Sequence, residues 1–178
     1  MIAQMLLNTG ILQFGLFVDN NTTSAYRIRL EMLSAYPEVM QQVIYRGIQT
    51  IATSRPFDRL VSHPDCIPLA SAVSLNTGIS LVYSRGQAEA PVHDLVGAYD
   101  VGHPSCLLVN TITPATAAFI TNCQRVGLEI HTILEVVAKG EKLEGFDQRH
   151  IFTLTALVHE LQLQQVITPE LAAAIVQT

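Results

Sequence analysis

After Pro37, apolar residues return every three or four positions. Val39, Met40, Val43, Ile44, Ile48 and Ile51 fall on one side of a helix. Pro37 suits the first position of that helix, and Gly47 inside the pattern points to close packing there. The spacing before it is different. Residues 2–9 read as a short helix stopped by Gly10, and "ILQFGLFV" comes next, with a glycine that marks a turn or a bulge. "DNNTTS", 19–24, is a polar loop. "AYRIRLEML", 25–33, alternates over its first part, as a half-buried strand does.

From residue 57 the pattern changes again. "FDRLVS", 57–62, "ISLVYSR", 79–85, "SCLLVN", 105–110, and "LEIHTILEVVA", 128–138, read as short strands. Between them "IPLASAVSLNTG", 67–78, and "PATAAFITNCQRVG", 114–127, read as helices, each with proline near its start and glycine at its end. Two shorter helices, 148–163 and 169–176, close the chain, the second capped by Thr168 ahead of Pro169. Such alternation predicts an α/β fold with a mostly parallel sheet of about five strands flanked by helices. The longest stretch without an element, "GQAEAPVHDLVGAYDVGHP", 86–104, has the length of a lid or flap.

Composition narrows the function classes. The 178 residues are 49% apolar, enough for one domain with a full core, and a disordered chain is excluded. A formal charge of -5 argues against unspecific binding to nucleic acid or anionic membrane. The charged fraction of 14% is low for a monomer's surface and leaves room for a face covered by another subunit. Three cysteines, at 66, 106 and 123, cannot all pair within one chain, and their spacing fits no zinc knuckle or redox dithiol. Cys106 reads as a small core residue. "MIAQMLLNTG" lacks the basic region of a signal peptide, and no stretch approaches the roughly 18 apolar residues of a membrane span. A cytoplasmic location is expected.

In a parallel sheet, ligands sit beyond the carboxyl ends of the strands. Four places qualify: His63–Asp65, Arg85–Asp94, Asn110–Thr116 and Lys139–Asp147. In the third, a helix starting near Pro114 offers backbone N–H groups to an anion, and Thr111, Thr113 and Thr116 add hydroxyls. The plainer alternative is that Thr113 only caps the helix, with Pro114 at its first position. His63 and Asp65 are suited to pairing or to metal ligation, but nothing fixes a third ligand. His93 and Asp94, exposed in the flap, are candidates for acid–base work. His103 before Pro104 reads as a turn, and His131 as a satisfied core group. Arg85 ends a strand, where it meets phosphate or closes an ion pair at a subunit boundary.

The order of these pieces resembles orotate phosphoribosyltransferase, with the type I phosphoribosyltransferase fold. The segments that carry the resemblance are "ILQFGLF" with "SAYRIRLEMLSAYPEVM", "FDRLVSHPDCIPLASAVSLNTG", "LVYSRGQAEA" and "DLVGAYDVGHPSCLLVNTITPATA". They are similar to that family's opening, its Phe-Asp strand and pyrophosphate turn, its basic cluster, and its phosphoribosyl pyrophosphate strand and loop. The resemblance implies a single phosphoribosyltransferase-like domain over 1–178, with residues 1–35 contributing an N-terminal hood. It also implies a homodimer whose sites are completed across the interface.

The family's functional residues carry over poorly. Arg85 matches the arginine that reaches pyrophosphate across the dimer, and the next lysine is Gly86 here. The flap lysine falls on Glu89 and the flap histidine on Pro91. The two acids that hold the ribose hydroxyls fall on Val109 and Asn110. The loop keeps Thr113 and Thr116, but its central glycine falls on Ala115, beside Pro114. The pyrophosphate turn reads "SHPDC", with Asp65 at the lysine position, and the early lysine falls on or beside Asn20. Phosphoribosyl transfer needs cations around a departing pyrophosphate, and Glu89 repels it. A resemblance with these losses implies a non-catalytic homologue that serves as a dimeric interaction or regulatory protein, with an unidentified protein partner and weak phosphate or nucleotide binding. Arg85, Asn110, Thr111, Thr113 and Thr116 would form its vestigial phosphate and ribose site. No catalytic residue, metal or cofactor is expected. The alternative is an active phosphoribosyltransferase of pyrimidine or nucleotide metabolism with an altered site, which would need Mg²⁺.

Overall fold

The computed structural model describes residues 1–19, 22–86, 94–97 and 99–176. Asn20, Glu89, Pro91 and His93 lie outside the described residues, and so do the expectations placed on them.

The chain opens with helix α1 (Ile2–Asn8) and an antiparallel ribbon of β1 (Leu12–Asp19) and β2 (Thr22–Ile28). The register of the ribbon shifts between Phe14 and Phe17, so Gly15 marks a bulge rather than a turn. Strand β2 starts and ends earlier than the alternation of 25–33 suggests. Leu30–Ala35 form a 3-10 turn that buries Leu30 and Leu33. Helix α2 (Pro37–Ile51) has Pro37 at its start and buries Val39, Val43, Gly47 and Ile51. A side chain at Gly47 would meet Ile151 Cδ1 at 3.1 Å, which accounts for the glycine.

The main body alternates as expected: β3 (Arg59–Ser62), α3 (Ile67–Thr77), β4 (Ser80–Ser84), β5 (Leu95–Gly97), β6 (His103–Val109), α4 (Pro114–Arg125) and β7 (Leu128–Ala138). Then come β8 (Asp147–Thr153), α5 (Leu154–Leu163) and α6 (Pro169–Val176). Among the described residues the main sheet has six strands in the order β5-β4-β3-β6-β7-β8. All its pairings are parallel except β4 with β5.

Two elements differ from the expectation. The flap segment 86–104 contains β5, and His103 opens β6 rather than sitting in a turn. Residues 147–153 form an edge strand, not the start of a helix, and only 154–163 are helical. The helix begins where Thr153 Oγ1 accepts the Ala156 N–H at 3.1 Å.

The sheet is covered on both faces, as parallel sheets are. Leu60, Cys106, Leu108 and Leu134 pack with α2, α3 and α5 in one apolar cluster. Val61, Leu107, Val109 and Ile133 pack with Ile120 and Cys123 of α4 in another. The second cluster ties β6 to α4 and so fixes the turn between them. Among the described residues no helix is long and apolar enough to cross a membrane.

Candidate functional site: the turn after β6

Strand β6 ends at Val109, which is 1% exposed and held in the apolar cluster under α4. Its side chain belongs to the core, not to a ligand. Asn110, the next residue, is fastened to the turn after β3. Its Oδ1 accepts from Cys66 Sγ at 3.2 Å, and its Nδ2 donates to the Asp65 carbonyl at 3.1 Å. Its own carbonyl accepts from the Val137 N–H at 3.0 Å.

Beyond Asn110 the turn holds a carboxylate that sequence reasoning missed. Glu135 stands opposite Val109 in the β6–β7 register, two residues beyond Ile133 and therefore on the face that carries α4. Its Oε1 accepts from the Ile112 N–H at 2.7 Å and from the Thr111 hydroxyl at 2.9 Å. Only 4% of the residue is exposed. Burial pushes the carboxyl above its ordinary value, opposed by those two donors and by nearby His150 and Lys139.

The rest of the turn is also self-satisfied. Thr113 and Thr116 form a capping box at the start of α4. The Thr113 N–H donates to Thr116 Oγ1 at 3.0 Å, and the Thr116 N–H donates to the Thr113 carbonyl at 2.9 Å. Pro114 has no N–H. Of the amides from Ile112 to Thr116, only that of Ala115 is left for a ligand.

Beside this turn lies a cleft of about 790 Å³, within the usual range for small-molecule sites. Glu135, Thr111, Lys139, Lys142 and His150 line it. The Lys139 ammonium lies 5.1 Å from the centre of the Tyr26 ring, a cation–π contact that links β7's end to the N-terminal ribbon. A second cavity of about 230 Å³ lies toward the β3 turn, lined by Asp65, Asn110, Thr111 and Lys139.

The structure brings Asn110, Thr111, Thr113 and Thr116 together at one strand end. Arg85 directly follows β4, which β3 separates from β6, and it is exposed. His63 and Asp65 do pair, Nδ1 to Oδ1 at 2.6 Å, with the imidazole edge-on to Phe119. Asp94 is buried, not an exposed flap acid, and it accepts from the Ser84 hydroxyl. His103 pairs with Asp58 at 2.8 Å at the opposite end of the sheet, far from this chemistry. His131 is not a core group. Its side chain is 45% exposed and lies 3.3 Å from Glu129. Cys66, Cys106 and Cys123 are buried free thiols, and burial pushes those of Cys106 and Cys123 up to about 12, so they are inert at neutral pH.

No protein-family model matches the chain, and no curated protein matches its sequence. Solved structures do match it. UMP synthase from Leishmania donovani superposes with a TM-score of 0.85 at 23% identity, over 98% of this chain and 40% of that one. Orotate phosphoribosyltransferase from Francisella tularensis gives 0.75 at 14% identity, over 99% and 93%. The Aeropyrum pernix orotate phosphoribosyltransferase gives 0.73 at 16%, over 92% and 99%. The chain therefore has the type I phosphoribosyltransferase fold. Within that fold it closely resembles the orotate phosphoribosyltransferase and UMP synthase domains, with α1, β1 and β2 as its N-terminal extension. It spans about 40% of the Leishmania UMP synthase chain.

Proposed function

We propose that the protein is a non-catalytic relative of orotate phosphoribosyltransferase, acting as a dimeric interaction or regulatory protein. One observation carries this reading: the Glu135 carboxylate already sits on the Ile112 N–H and the Thr111 hydroxyl. A phosphoribosyl substrate entering beside this turn loses those two donors and meets a carboxylate instead. The amides of Thr113 and Thr116 are spent within the turn, which deepens the deficit. Mg²⁺ fits these residues poorly. Val109 supplies no oxygen, and the single Asn110 acceptor is engaged by Cys66.

A function through contacts needs surface, and the chain has apolar surface to offer. Leu16 and Val18 on β1 are 80% and 65% exposed, and Leu75 on α3 is 86% exposed. A second copy of the chain, or another protein, would cover them.

The test is turnover. Purified protein with phosphoribosyl pyrophosphate, Mg²⁺ and orotate or other bases is expected to release no pyrophosphate above a heat-treated control. Release that is clear, and abolished by Thr113→Ala with Thr116→Ala, would establish the opposite reading: an active phosphoribosyltransferase with an altered site.

A further inference from the structure

We infer that Glu135 sets the ligand class of the cleft: it closes the turn to phosphate and directs the cleft to uncharged, unphosphorylated molecules that donate hydrogen bonds, of about nucleoside size. This inference rests on the cleft being a binding site rather than a catalytic one.

The geometry gives two grounds. First, a turn that leads into a helix start ordinarily attracts anions, through free amides and the helix dipole. Here the anion is internal. Glu135 Oε1 takes the Ile112 and Thr111 donors at 2.7 and 2.9 Å. A phosphate entering the cleft must either displace a carboxylate held by two hydrogen bonds or lie against it. The Ala115 amide alone does not offset that repulsion.

Second, the other oxygen of the same carboxylate accepts from no described residue. Glu135 lines the cleft, and this Oε2 is not among the buried atoms left without a partner, so it stays accessible as an acceptor. A charged acceptor open to the cleft favours a donor there. A ligand hydroxyl or N–H answers it, whereas a phosphate dianion has no proton to give. The volume of about 790 Å³ accommodates a sugar with an attached ring. Lys139, covered by the Tyr26 ring, adds an aliphatic stem and a flat wall.

The charged groups around the carboxylate are Lys139 beyond β7, Glu141 and Lys142 in the following loop, and Arg149 and His150 on β8. Arg149 is engaged by Asp147, its Nε lying 2.8 Å from Oδ1. The lysines and the two glutamates largely cancel, so no basic field overrides Glu135.

Calorimetry on the full chain and on Glu135→Gln tests this, with sulfate as an anion of constant charge and with uridine against uridine 5′-monophosphate. The variant is isosteric and keeps an acceptor for Ile112, and its thermal unfolding shows that it is folded. The wild type is expected to bind uridine at least tenfold tighter than its monophosphate. Glu135→Gln is expected to bind sulfate at least tenfold tighter than the wild type. In the wild type sulfate binding strengthens as pH falls and Glu135 takes a proton, and in the variant that part of the profile is lost. Equal sulfate affinity in the two proteins would overturn the inference. So would a wild type that favours the monophosphate or binds neither nucleoside nor monophosphate. The turnover assay fails separately: pyrophosphate release would remove the non-catalytic reading, whereas a flat trace with equal sulfate binding would remove only this one.

Discussion

Glu135 carries a charge in the middle of a strand whose neighbours, Leu134 and Val136, are fully buried. Its ionisation in the folded protein is opposed chiefly by burial, so its folded pKa lies above the unfolded one. Linkage sets the sign. The native state holds the extra proton, so its stabilising effect is complete below the unfolded value, near 4.5, and is lost as pH rises through the raised folded value. Glu135→Gln should therefore raise the unfolding midpoint at neutral pH, with the gain over wild type shrinking toward pH 4, as denaturant melts at several pH values will show. The signal was present in the sequence as "TILEVVA", one acid inside an apolar run, where a buried carboxylate demands partners. What the sequence does not display is where those partners lie, since Thr111 and Ile112 are more than 20 positions away. The same holds for Gly97. Its φ is +129°, and a side chain there would strike the Leu81 carbonyl oxygen and approach Val82 Cα at 3.0 Å. Gly97→Ala should cost about 3 kcal/mol of stability by chemical denaturation.

At the scale of elements, the strands and helices from 57 to 138, β5 apart, were legible because their apolar runs and their Pro and Gly boundaries agree. The exception is β8. "DQRHIF" places four polar residues in succession and so lacks the apolar signature of a buried strand. It is tolerated as a strand because it lies at the edge of the sheet and pairs only with β7. The stretch 25–33 misled for a related reason. Its alternation continues past Ile28, but Leu30 and Leu33 bury into the main core from a 3-10 turn. The junction of β8 and α5 rests on one cap, the Thr153 hydroxyl on the Ala156 N–H. Thr153→Ala should lower stability by about 1 kcal/mol, read as a shift in the denaturant midpoint with an unchanged slope.

At the scale of the whole molecule, the fold retains a phosphoribosyltransferase body while the turn after β6 has turned inward upon itself. Val109 faces the core, Asn110 binds the neighbouring turn, and Glu135 fills the position of an anion. The proposed dimer would cover the exposed apolar residues Leu16, Val18 and Leu75 on a chain whose charged fraction is only 14%. Light scattering at micromolar concentration is expected to give about twice 19.5 kDa, and a mass near 19.5 kDa would count against the dimer. The central claim is that this turn no longer accepts a phosphoribosyl substrate. Titration of phosphoribosyl pyrophosphate with Mg²⁺ into the wild-type protein, followed by calorimetry, tests it most directly. The expected trace shows only the heat of dilution up to millimolar ligand. A saturable binding heat at micromolar ligand, strengthened by Mg²⁺, would contradict it.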